Sequence, residues 1–293
     1  MGIIEGSIPR GAGVERGPGA SYYADANNGS DGNSGGSWQN AKLTIASALA
    51  LMAEGDRLFL SGKFREEVVL SNLLGGVSII GADDRLPAHA DSPWPSGASW
   101  LPPAAPTAAT PLLVVRSQGV TVENVLFDCP VDAAAVKLER NALSGDAEFD
   151  GSHFNARNCR FTSGLTGIEN AGGCGFVIVE DCRFYDLTDA ITCTSTAVAV
   201  PLRWIIRRNE FMENANHIRS SLSDSIIRDN TFAKFSALAI DPEFNSAQGG
   251  DNVIWANYLS GTYAAGDYVP GTGNEWAGNF NSLTGGVTAA DPA

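Results

Sequence analysis

The segment Ala156-Arg157-Asn158-Cys159-Arg160-Phe161 recurs as Val179-Glu180-Asp181-Cys182-Arg183-Phe184. It recurs again as Ile206-Arg207-Arg208-Asn209-Glu210-Phe211 and as Ile227-Arg228-Asp229-Asn230-Thr231-Phe232. Residues 253–259 repeat it with Asn257, and 122–127 form an earlier, divergent copy. The closing apolar residues Phe127, Phe161, Phe184, Phe211, Phe232 and Leu259 lie 34, 23, 27, 21 and 27 residues apart. A second apolar point follows at Ile168, Ile191, Ile218 and, more weakly, Ala239. Between copies lie Gly, Asn, Asp and Ser, the turn formers. The strands read as short and alternating, and no ten-residue helical pattern separates them, which excludes βαβ units here. Short strands recurring every 21 to 27 residues mean a stack of similar coils, a parallel β-solenoid.

Stacking explains the residue choices. Successive coils pair about 4.8 Å apart, so one position in each coil lies above its equivalent in the next. Phe127, Phe161, Phe184, Phe211 and Phe232 then form an interior ladder. The column before them reads Cys159, Cys182, Asn209, Asn230, Asn257. Asn hydrogen-bonds its own kind and turn backbone, and Cys is a small apolar substitute.

The rest of the chain departs from this period. Residues 41–53 are Ala/Leu-rich with helical spacing and Gly55 as a stop, which predicts a helix capping the open first coil. Residues 83–111 hold seven of the 14 prolines, with Trp94 and Trp100. So many prolines exclude a central strand and predict a loop thrown out of the stack. Residues 1–21, with Pro9, Arg10, Pro18 and several glycines, read as an extended arm. Residues 22–262 read as the solenoid of seven or eight coils, and 263–293 as a C-terminal cap without a ladder copy.

Composition narrows the function. Of 293 residues, 33 are acidic and 19 basic, for a net charge of −14. That balance argues against nucleic acid as a partner, since phosphate binding needs Lys and Arg. No stretch approaches the roughly 20 apolar residues of a membrane span, and residues 1–10 lack a secretory pattern. The five cysteines, an odd number without a Cys-x-x-Cys pair, predict buried thiols rather than disulfides or zinc. His89, His153 and His217 lie far apart. No catalytic residue, cofactor or metal site is assigned.

Several constellations were candidates for chemistry. Glu123, Asp128, Asp132 and Glu139 with Lys137 and Arg140 are the best local acidic set for a lyase, against an ordinary solvated face. Asp83-Asp84 reads as a loop start. His217 and Arg219 flank Ile218, so alternation points both away from the core. The run Asp25-x-Asn27-x-Gly29-x-Asp31 lacks the sixth-position Gly and closing Glu of a calcium loop and reads as Asx turns.

The opening run Tyr22-Tyr23-Ala24-Asp25-Ala26-Asn27-Asn28-Gly29-Ser30-Asp31-Gly32 is followed by Ser37-Trp38-Gln39-Asn40-Ala41, Thr44-Ile45 and Gly55-Asp56-Arg57-Leu58-Phe59-Leu60. It resembles the opening of right-handed parallel β-helix proteins of the pectate-lyase-like superfamily. The later Asn/Cys-x-Phe copies resemble that superfamily's coil repeat. A narrower resemblance, carried by residues 119–130, 133–140 and 274–280, is to β-helix proteins among tailed-bacteriophage structural proteins. It implies a virion structural protein, a capsid decoration or cement protein on the capsid exterior, assembled as a homotrimer and bound to the phage capsid protein. Pro9, Arg10, Pro18, Trp94 and Trp100 are its candidate partner contacts. The superfamily also implies an alternative, a tailspike-like or pectate-lyase-like polysaccharide-degrading enzyme, although the Asn-Thr-Asp, Gly-His-Gly and Arg-x-Lys motifs of galacturonases are absent. A non-catalytic glycan-binding β-helix is the second alternative.

Overall fold

A computed structural model describes residues 19–71, 74–82, 98–139, 151–193, 201–234, 236–242, 250–260, 269, 271 and 273–281. Its strands all pair in parallel and wind into a β-helix with three faces. The first sheet stacks Ser21–Asp25, the start of Arg57–Arg65, Ser78–Gly81, Thr121–Glu123, Asn155–Arg157, Ile178–Glu180, Ile205–Arg207, Ile226–Arg228, Val253–Trp255 and Glu275–Ala277. Ten strands at about 4.8 Å spacing make a rod of roughly 43 Å, longer than the seven or eight coils expected. The second sheet runs from the end of Arg57–Arg65 through Ala98–Leu101 and Val125–Asp128 to Phe280–Asn281. The third includes Val68–Leu70, Leu113–Val115, Ala134–Leu138, Asn216–Ser220 and Leu238–Asp241. The 11-residue strands Arg160–Asn170 and Arg183–Cys193 bend across the second and third sheets.

Corners are set by left-handed residues at equivalent places. Between the first and second sheets these are Asn124, Asn158, Asp181, Arg208, Asp229 and Ala256, with φ of 47° to 58°. Asn and Asp tolerate that backbone best among non-Gly residues, which is why they recur just before the ladder residue.

Inside the corner, Phe127, Phe161, Phe184, Phe211 and Phe232 stack with ring centroids 4.8 to 5.1 Å apart. Beside them runs a hydrogen-bonded column. The amides of Cys182, Asn209, Asn230 and Asn257 donate to Oδ1 of Asn209, Asn230, Asn257 and Asn279 at 2.8 to 3.1 Å. Each Asn Nδ2 also donates to a carbonyl of a coil below, as Asn230 does to Ile206 at 2.9 Å. All five cysteines are buried and free. Cys182 accepts from the Cys159 amide at 3.4 Å, and burial pushes its thiol well above the ordinary range.

Four expectations are corrected. Trp100 is not a loop residue but lies on the strand Ala98–Leu101, fully buried, between Arg57–Arg65 and Val125–Asp128. Its ring stacks on Phe127 at 5.7 Å, and its indole N–H donates to the Glu66 carbonyl at 2.9 Å. It extends the aromatic ladder, with no surface for a partner; the prolines surrounding it flank the strand rather than occupy it. The cap helix is shorter than 41–53: a 3-10 turn Trp38–Asn40 and the helix Ile45–Leu49. Thr44 caps that helix by accepting from the Ser47 amide. The 263–293 cap contains another coil, because Glu275–Ala277 pairs with Val253–Trp255 and Asn279 continues the Asn column. Residues 1–18, including Pro9, Arg10 and Pro18, lie outside the described residues, as do Asp83, Asp84, Trp94 and Arg140.

The fourth correction is His217. Ile191 pairs with Ile218 and Asp189 with Asn216, so Ala190 and His217 are skipped in the register. Both are fully buried, as are Ala135 and Ala239 in neighbouring coils. Two successive residues therefore face inward at this bend, in the manner of a bulge, and strict alternation fails. The same bend makes Ile240, not Ala239, the partner of Ile218. His217 packs between Phe211 and Phe232, and the Asn214 amide lies 3.0 Å from its Nδ1. Burial pushes its pKa down to about 3. An unfolded chain therefore takes up a proton below about pH 6.5 that the folded one refuses until about pH 3. His217 opposes folding in that interval by up to about 1.4 kcal/mol per pH unit. His217→Ala, matching the neighbouring column, is expected to flatten this part of the acid stability profile in denaturant titrations; an unchanged profile counts against it.

Candidate functional site

Two surfaces stand out on the rod. On the first sheet, the first of the two outward positions of each strand is polar at Ser78, Thr121 and Asn155, then aliphatic at Ile178, Ile205, Ile226 and Val253 in successive coils. Phe176, Leu202 and Trp255, each more than 40% exposed, border this column. The His153 ring stacks on Phe176 at 4.8 Å, and the Arg203 guanidinium lies 5.3 Å from the Phe176 centroid. His153, Phe176 and Arg203, with Ile178, Ile205 and Ile226 of the column, line a shallow apolar groove of about 510 Å³.

The edge of this sheet toward the second sheet is charged. Glu180, nearly buried, receives Arg157 at 2.9 Å, Arg207 at 2.7 Å and Arg208 at 3.0 Å. Arg208 also grips Asp181 at 2.8 Å, which holds the Asp181 carboxyl below its usual range. Arg228 pairs with Asp229 at 2.7 Å. The opposite edge carries Arg203, Asp224 and Asp251, all at left-handed corners.

The third sheet presents a row of outward polar side chains, Lys137, Glu169, Thr192, Arg219 and Asp241, in register on successive strands. Glu139 accepts Arg116 at 2.8 Å and Lys137 at 3.0 Å. Although burial opposes it, these cations hold Glu139 below the usual carboxylate range. Glu169, on the adjacent strand, is pushed up by burial and by Glu139, against Lys137. Asp189 holds Arg219 at 3.1 Å and Asn216 at 2.7 Å.

Among the described residues of the acidic set considered from sequence, only Lys137 and Glu139 come together, and their companions are Arg116 and Glu169. Glu123 faces out from the first sheet, Asp128 ends a second-sheet strand, and Asp132 accepts the Ala109 amide at 3.0 Å. Arg219 does face outward, without His217. In the opening run, Asp25 accepts the Asn27 and Asn28 amides, and Asp31 accepts those of Leu43 and Thr44, so both carboxylates are turn fasteners. No group of three or more His, Cys, Asp or Glu side chains among the described residues is placed to hold a metal ion. The aliphatic column was missed from sequence because its signal is one residue per coil, two positions ahead of Glu180, Arg207, Arg228 and Trp255.

No family model matches the chain, and no curated protein matches it. Solved structures do. Pectate lyase Pel9A superposes with a TM-score of 0.53 at 14% identity, over 94% of this chain and 81% of that one. The chain has the fold of a right-handed parallel β-helix, the fold it shares with Pel9A. A rhamnogalacturonan lyase (TM-score 0.44, 11% identity, 93% of this chain and 89% of that one) and Dettilon tailspike protein gp208 (0.34, 13%, 84% and 65%) are also similar. Their scores add nothing to the first. What the β-helix shares with Pel9A is the fold, and superfolds host many activities.

Proposed function

We propose that this β-helix is a virion structural protein of a tailed bacteriophage, a capsid decoration protein that assembles as a homotrimer on the capsid exterior and binds the capsid protein. The observation that carries the reading is the aliphatic column Ile178, Ile205, Ile226 and Val253 on an outward sheet face. A sheet face meeting water is ordinarily polar, and contiguous outward apolar residues mark association surfaces. The phage-like sequence segments give the partner. The −14 charge sets nucleic acid aside, and no helix among the described residues is long and apolar enough to cross a membrane.

Mass spectrometry and cryo-EM of purified particles, from a phage whose genome encodes the chain, test this. The protein is expected in stoichiometric amounts on the shell. Its absence from particles would sink the proposal.

The row on the third sheet favours a second reading, polysaccharide cleavage. Glu139 and Glu169 are diagonal neighbours on adjacent strands, a spacing of roughly 7–8 Å between backbones. Their protonation is driven apart, the pattern of an acid and its partner base. Incubation with acidic and neutral polysaccharides is expected to leave chain length unchanged. Shortening that disappears in Glu169→Gln would replace the decoration role with an enzymatic one.

A further inference from the structure

The corner between the first and second sheets carries charges that neither functional reading uses. We propose that Arg160 and Arg183 hold a tetrahedral oxyanion, a phosphate or sulfate group, in the cavity that opens at this corner. The site is separate from the aliphatic column, and it stands or falls independently of assembly.

Register comes first. Arg160 and Arg183 lie directly opposite each other on adjacent parallel strands, about 4.8 Å apart at the backbone. Like charges so placed repel. On its other side Arg160 meets Leu126, and the Asn158 amide nearby is turned to Asn124 at 2.6 Å. Each carboxylate that lines the cavity already has an arginine. Asp181 has Arg208 at 2.8 Å, Asp229 has Arg228 at 2.7 Å, and Glu210 has Arg183 at 3.3 Å. Among the described residues, Arg160 makes no ion pair.

The charge count over the whole corner agrees. Along the first-sheet edge, the corner and the second-sheet column that holds Arg160, residues 123–231 carry Arg157, Arg160, Arg183, Arg207, Arg208 and Arg228. Against them stand Glu123, Glu180, Asp181, Glu210 and Asp229. Glu123 is in register with Arg157 and does not line the cavity. The excess is one positive charge, on a chain whose acids outnumber its bases 33 to 19. The further second-sheet carboxylate, Asp128, is pushed up by burial and opposed by Arg65, not by Arg160.

The donors select the ligand. A guanidinium presents a planar fork of N–H groups matched to two oxygens, so a carboxylate is filled by one arginine. A phosphate or sulfate ester has three oxygens, enough for Arg160 and for Arg183 beside its bond to Glu210. Burial pushes the Arg183 guanidinium below its ordinary range, and Arg160 adds to this against Glu210. An anion between the two arginines removes that repulsion. The cavity, about 460 Å³, is larger than the ion alone would fill, which leaves room for the group that carries it.

Calorimetric titration and thermal unfolding at matched ionic strength test the site. Inorganic phosphate is expected to bind saturably and to raise the unfolding midpoint, and chloride to do neither; sulfate should compete with phosphate. Arg160→Gln and Arg183→Gln are each expected to weaken binding about tenfold. Arg57→Gln, at an exposed position in an earlier coil, should leave it unchanged. Without phosphate, Arg160→Gln should keep or raise the unfolding midpoint, because it relieves the opposition to Arg183. Glucose 6-phosphate and glucose separate the sources of the ion. Tighter binding of the ester, with glucose silent, assigns the cavity to an oxyanion on a sugar-sized carrier, and equal binding assigns it to the free ion. Three results overturn the proposal: no saturable binding of phosphate or its ester below roughly 20 mM, binding that survives Arg160→Gln, or a lowered midpoint in that variant without phosphate, which would make Arg160 a structural group.

Discussion

Phe211→Ala is expected to cost about 3–5 kcal/mol of folding free energy, the range for emptying a large aromatic site in a packed core. Phe211 is fully buried, with Phe184 and Phe232 stacked above and below it at 4.9 Å each. Removing the ring forfeits two stacked pairs, each worth about 0.5–1.5 kcal/mol beyond the area buried. It also opens one wall of the His217 pocket, whose ring lies 5.8 Å away. Collapse cannot fill the gap, because strand spacing is fixed by the backbone ladders on either side. Phe211→Leu should cost much less, since Leu259 occupies the same column as the next partner of Phe232. Urea unfolding followed by circular dichroism measures both. A loss below about 1 kcal/mol for Phe211→Ala would mean that the column is not a packed core.

The second large effect concerns Asn230. Its Oδ1 accepts the Asn209 amide at 2.9 Å and the Asn209 side chain at 3.1 Å. Its Nδ2 donates to the Ile206 carbonyl at 2.9 Å and to Asn257 Oδ1 at 3.0 Å. Asn230→Ala strands several of these groups in a water-free corner, at about 1–3 kcal/mol for each one left unpaired. A total near 4 kcal/mol is expected, allowing for some relaxation. Asn230→Cys is expected to cost less. Cys182 already serves in the column, where its sulfur takes the amide of Cys159 at 3.4 Å. The ranking Ala worse than Cys, read from urea midpoints, is the diagnostic. Equal costs would mean that the column works by packing and not by hydrogen bonding.

The parts of the fold legible in the sequence were those that repeat. Phe, Asn and Cys mark the interior corner because a stacked position sees the same surroundings in every coil, so the same side chain solves it each time. Trp100 escaped that logic. Its coil is interrupted by residues 83–97, and prolines crowd the remainder, so its phase relative to Phe127 could not be counted. His217 escaped for a different reason. Alternation holds only where the backbone is a regular pleat, and the third sheet bends where Ala135, Ala190, His217 and Ala239 turn inward together. Gly167, in the same column, shows how tight the space is: a Cβ there would lie 2.9 Å from the Phe184 ring. A histidine among alanines was the one visible sign of something unusual there. The surfaces were the least legible, since outward columns are set by neighbours a whole coil away that no local window contains. A corner column of Ser225, Asn252 and Asn274, in which the Ser225 and Asn252 amides donate to Oδ1 of Asn252 and Asn274 at 3.0 Å, went unread because so few members repeat.

The left-handed corners bear on how such a chain changes its length over evolutionary time. Each coil closes through its own corner residues and presents the next with the same template, so duplicating or deleting one whole unit alters the rod by about 4.8 Å and leaves every column in phase. A single inserted residue within a strand has no such escape, because it turns Phe and Arg to each other's side. Rod height is therefore a trait that varies in discrete steps, and a partner that measures height would select among them.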